Sequence, residues 1–92
     1  MSVTVRIPPP LRTETAGAAQ VEAQGDNLRE LLDDLAERYP SLGRQLLSNG
    51  GIAPYVNVYV DGEDVRTRDG LDTPVADGTT VILLPAVAGG LF

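Results

Sequence analysis

Thr80-Val81-Ile82-Leu83-Leu84-Pro85-Ala86-Val87-Ala88-Gly89-Gly90-Leu91-Phe92 closes the chain, and its first five residues decide the fold. Residues 81–84 are apolar without alternation, the mark of a strand covered on both faces at the middle of a sheet. Pro85 ends it, because proline has no amide with which to continue a ladder. Small and β-branched residues and two glycines follow, so residues 85–92 read as a thin arm extending away from the body. Glycine has no Cβ, so Gly89-Gly90 can pass a channel that excludes other residues and leave an open carbonyl at Gly90. Taken alone, such an end reads more simply as a frayed terminus. The rest of the sequence favours the arm.

Working back from that strand, Thr73-Pro74-Val75-Ala76-Asp77-Gly78 is a turn. Val56, Val58 and Val60 alternate with Asn57 and Tyr59 to give another strand, and Asp61-Gly62 is a tight-turn signal that starts a further strand near Glu63-Asp64-Val65-Arg66. At the other end, Val3, Val5 and Ile7 alternate with Thr4 and Arg6, and Pro8-Pro9-Pro10 stops the run. After the turn-like Thr15-Ala16-Gly17, Ala19, Val21 and Ala23 alternate with Gln20, Glu22 and Gln24, which predicts a hairpin partner for the first strand. Between the two pairs, Leu28, Leu31, Leu32, Leu35, Ala36 and Tyr39 repeat at helical spacing, with Asp26 or Asn27 as the cap and Pro40 as the stop. Leu42, Leu46 and Leu47 suggest a short second helical turn ending at Ser48-Asn49-Gly50-Gly51. The pattern β-β-α-β-β-β predicts an α+β sheet of four to five strands under one main helix.

Ninety-two residues make a single domain, 1–92, with no apolar run long enough to cross a bilayer and no signal-peptide pattern, which points to the cytoplasm. The net charge of −6 argues against nucleic acid and anionic membranes and favours a basic protein partner. Without histidine or cysteine the chain lacks the commonest general base, the thiolate nucleophile and the usual metal ligands, so self-contained catalysis is not expected. All seven cations are arginine. Codon bias explains this most cheaply, but a chain without lysine also has no side-chain amine to capture an activated acyl group at its own end.

The segments Val56-Asn57-Val58-Tyr59-Val60-Asp61-Gly62-Glu63-Asp64-Val65-Arg66, Pro74-Val75-Ala76-Asp77-Gly78 and Leu84-Pro85-Ala86-Val87-Ala88-Gly89-Gly90 resemble the ubiquitin-like sulfur carriers of the MoaD and ThiS family, most of all the CysO type. The resemblance covers essentially the whole chain. It implies a β-grasp fold, in which the first and last strands pair in parallel at the sheet centre and the arm leaves the most rigid part of the protein. It implies a protein co-substrate, not an enzyme, with no bound cofactor. An activating enzyme of the ubiquitin-activating superfamily uses ATP to adenylate the terminal glycine, a sulfur donor displaces AMP, and the thiocarboxylate passes sulfur to a synthase. Gly90 would carry the sulfur and Gly89 would give access to it. Leu91-Phe92 departs from the pattern, and the resemblance implies removal of this pair by a zinc peptidase of the JAMM type.

An apolar central strand can leave Ile82 or Leu84 on the outer face. The family resemblance makes Leu84, with Pro85, Ala86, Val87 and Ala88 of the arm, the expected partner contact, and Val60 and Ile7 further candidates. Asp61, Glu63 and Asp64 read as solvated charges or as contacts to a basic partner. Asp33-Asp34, adjacent on a helix, point in different directions and suit neither a carboxylate dyad nor a metal. Gly50-Gly51 lacks the lysine and spacing of a phosphate loop. The expected function is delivery of sulfur for cysteine or another sulfur-containing metabolite, with molybdopterin and thiamin less favoured. The alternatives are a ubiquitin-like protein modifier and a noncovalent β-grasp interaction module.

Overall fold

A computed structural model describes residues 2–48 and 50–85. Strand β1 (Val3–Arg6) pairs antiparallel with β2 (Gln20–Ala23) and parallel with β7 (Thr80–Pro85). On its other side β7 pairs antiparallel with β5 (Val56–Val60), which carries β6 (Glu63–Asp64) at the edge. The order β2-β1-β7-β5-β6 puts the apolar run at 81–84 in the central position expected for it.

Period-2 alternation sets one face of every strand against the helices. Val3, Val5, Ile7, Val21, Ala23, Val56, Val58, Val60, Val81 and Leu83 are all buried there. Helix α1 (Leu28–Arg38) answers with Leu28, Leu31, Leu32 and Leu35, none of which reaches solvent. Its cap is Asn27, whose Oδ1 accepts the Glu30 amide at 2.9 Å, while the Glu30 carboxylate accepts the Asp26 amide at 2.9 Å. Thr73 O accepts from Leu28 N and Asp26 O accepts from Val75 N, so the loop before β7 straps the start of α1. Tyr39, turned out of the helical conformation before Pro40, ends α1 and caps the start of the short α2 (Pro40–Leu46). None of the helices among the described residues is long and apolar enough to cross a membrane.

β2 is the antiparallel hairpin partner expected for β1, and the link between them is a 3-10 helix, Pro9–Thr15, closed by Ala16 and Gly17 in left-handed conformations. Two local expectations change. Ser48-Asn49-Gly50-Gly51 is more than a stop: β3 (Leu47–Ser48) and β4 (Gly51–Ile52) pair across it as a separate ribbon. The strand begun at Glu63 ends at Asp64, whose carboxylate accepts the Arg66 amide at 2.9 Å and starts a 3-10 turn, Val65–Thr67, that drops Val65 into the core.

Candidate functional site

The point where β7 ends is where the expected arm would begin. Val56 faces Pro85 and Asn57 faces Leu84 in the β5 ladder, so β7 is held by backbone pairing as far as Pro85. Ala86, Val87, Ala88, Gly89, Gly90, Leu91 and Phe92 lie outside the described residues. Leu84 projects from the sheet face opposite the helices and is 43% exposed; Ile82, two residues back on the same face, is half-buried and Pro85 is exposed. Ile7 and Val60 do not join them. At 2% and 1% exposure Ile7, just past β1, and Val60, in β5, lie on the inner phase and offer a partner almost no surface.

Beside Leu84 lies an open groove of about 440 Å³ whose lining includes Arg6, Pro9, Arg12, Gln20 and Ile82. Arg12 is braced by a 3.0 Å bond from its Nε to the Ile7 carbonyl. Across the sheet, Arg66 donates from Nη1 to Asn57 Oδ1 and from Nη2 to Ala53 O, both at 2.8 Å, and so is fixed at the start of β5. Sequence reading passed over these three arginines because their residue numbers are far apart; the signal available was only their lack of an acidic neighbour at i±4.

Asp61, Glu63 and Asp64 lie at the β5–β6 turn, away from the end of β7. Asp61 occupies a left-handed conformation, Glu63 pairs with Arg68 at 3.2 Å and Asp64 caps the following turn. Asp34 accepts the Gln24 amide at 2.9 Å and pairs with Arg38 at 3.1 Å, while Asp33 faces solvent, so the two carboxylates do diverge. No group of three or more acidic side chains among the described residues could hold a metal ion.

This architecture has known counterparts. The pattern of the ThiS family matches residues 5–90. The chain belongs to the ThiS family. Sulfur carrier protein CysO of Mycobacterium bovis is 46% identical over 93 aligned residues that span 98% of this chain and 100% of that protein. In the crystal structure of the Amycolatopsis orientalis BexX/CysO complex, a chain 45% identical superimposes with a TM-score of 0.89, covering 96% of this chain and 99% of that one. The crystal structure of Mycobacterium tuberculosis CysO, an antigen, gives 44% identity and a TM-score of 0.87 over 92% of this chain and 99% of the other. The mixed five-stranded sheet of this ThiS-family member is therefore a ubiquitin-like β-grasp, with β1 and β7 as its parallel central pair. The family match runs through Gly89-Gly90 and stops before Leu91-Phe92.

Proposed function

We propose that this chain is a sulfur carrier that acts as a protein co-substrate and delivers sulfur for biosynthesis, cysteine being the foremost product. The observation that carries the reading is similarity along essentially the whole chain to sulfur carriers of the CysO type, with the family match ending at Gly90. The fold supports it mechanically: β7 lies between β1 and β5, and pairing with β5 holds it as far as Pro85, just before the segment that carries Gly89-Gly90.

In the proposed cycle a zinc peptidase of the JAMM type hydrolyses the bond between Gly90 and Leu91, freeing the Gly90 carboxylate. A carboxylate is a poor electrophile. An activating enzyme of the ubiquitin-activating superfamily joins it to the α-phosphorus of ATP with release of pyrophosphate, giving an acyl adenylate. A sulfide-level sulfur donor adds to the acyl carbon and AMP leaves, so the C–O bond to phosphate breaks as the C–S bond forms. The thiocarboxylate is ionised at neutral pH and its soft sulfur attacks the electrophilic substrate of a synthase. Gly89 keeps the approach to that carbon free of side chains. No cofactor resides on the carrier itself, and the cycle belongs in the cytoplasm with the ATP it consumes.

Intact mass of the protein recovered from its native cells without thiols tests the cycle. The expected species lacks Leu91-Phe92 and is about 16 Da heavier than the truncated acid, the exchange of one oxygen for sulfur. Persistent Leu91-Phe92 would overturn the reading in favour of a noncovalent module. Amide-linked adducts on target lysines would make the chain a protein modifier.

A further inference from the structure

The strand register shows that the outer sheet face is electrically polarised. Its middle row runs Gln20, Arg6, Ile82, Tyr59, Asp64 across the five strands. Toward the start of β7 the neighbours are acidic: Glu22 faces Thr4, which faces Thr80, the Asp61 amide reaches the Thr80 carbonyl, and Asp77 accepts from the Ser2 amide. Toward the end of β7 there is no carboxylate among the groove-lining residues, which instead combine Arg6 and Arg12 with Ile82 and Leu84, while Arg66 stands on the far side at Asn57. Carboxylate partners among the described residues go to Arg29, Arg38 and Arg68. Three of the four arginines without one among the described residues therefore lie about the end of β7, in a chain whose net charge is −6. The overall charge favours a basic partner, but this end has the opposite sign.

We propose that this end of the outer face docks an acidic protein segment, seating an apolar side chain in the groove beside Leu84 and placing carboxylates on Arg6, Arg12 and Arg66. Guanidinium groups bind carboxylates through paired N–H donors, and bracing by the Ile7 carbonyl, Asn57 and Ala53 holds Arg12 and Arg66 in place before the partner arrives, which limits the ordering cost of binding. The apolar floor favours a protein segment over a small anion, which would need converging polar donors. The charge pattern stands whether or not Gly90 is ever activated, so this proposal does not rest on the sulfur-carrier cycle.

The test is an NMR titration of the full ¹⁵N-labelled chain at low salt with the acetylated peptide Glu-Leu-Asp-Phe-Glu. Amide shifts should cluster at residues 6–12 and 82–84, and Arg6→Glu with Arg12→Glu should weaken binding about tenfold or more, while Arg44→Glu on α2 leaves it unchanged. If the double variant loses its dispersed spectrum, Arg6→Glu alone carries the comparison, since no hydrogen bond or ion pair of the Arg6 side chain occurs among the described residues. Equal binding of the peptide with lysine in place of each acid would overturn the proposal and leave a merely apolar patch. Equal shifts from inorganic phosphate would make it a small-anion site instead, and shifts that follow protein concentration before peptide is added would assign the surface to a second copy of the chain.

Discussion

Two glycines in this chain are required for different physical reasons. Gly43 sits inside α2, where glycine is ordinarily unfavourable, because a Cβ there would lie 2.5 Å from Ala36 Cβ and 2.9 Å from Ala36 Cα on α1. The two helices touch at that point. Gly43→Ala must push them apart, and urea denaturation should show a loss of about 1–3 kcal/mol despite the better helix propensity of alanine. Gly62 meets nothing within 4 Å, but its φ is +83° in the turn that joins β5 to β6. Gly62→Ala should therefore cost about 1–2 kcal/mol through backbone conformation alone, with no rearrangement of neighbours visible by NMR. Sequence reading identified the second glycine through the Asp61-Gly62 pair and missed the first, because a helix contact between residues seven positions apart on two helices has no local signature.

At the scale of elements, α1 is built to be placed rather than merely to form. Its cap, Asn27, lies where the loop at 73–75 crosses, so the helix start is held both by a side chain and by a distant backbone segment. Asn27→Ala removes only the side-chain acceptor and should lower stability by about 1 kcal/mol in thermal or urea unfolding. Leu35 and Leu84 offer a sharper contrast. Leu35 is fully buried and Leu35→Ala should cost about 2–5 kcal/mol, whereas the exposed Leu84→Ala should stay within about 0.5 kcal/mol in the same denaturation experiment. A stable Leu84→Ala variant that no longer binds the acidic peptide would place the role of that side chain on the surface, not in the core.

For the whole molecule, β7 is the keystone. It is the neighbour of both β1 and β5, and without it the sheet becomes two separate strand pairs that share only the helices. Two-stranded pairs are at best marginally stable in water. A chain ending at Gly78 should consequently show no cooperative urea transition by circular dichroism, although every helix-forming residue is still present. The same strand closes the core and leads to the segment that carries Gly89-Gly90: it is paired on both sides as far as Ile82 and by β5 alone at Leu84 and Pro85.

The sequence by itself determined where the elements lie and what each buries. Alternation at 3–7, 19–24 and 56–60, helical spacing at 28–39 and an unbroken apolar run at 81–84 are local patterns, and local backbone geometry converts them directly into strands, a helix and a central strand. The family resemblance went further, since it rested on the order and spacing of three segments between Val56 and Gly90. The tertiary structure alone decided the phase of the non-alternating run 81–84, burying Val81 and Leu83 and leaving Leu84 outside. It alone gathered Arg6, Arg12 and Arg66 around the end of β7, through the parallel β1–β7 pairing and the 3-10 turns that carry two of them. Periodicity is read within a few residues, whereas a charged surface is made by strand neighbours whose register is set only when the whole sheet closes over its core.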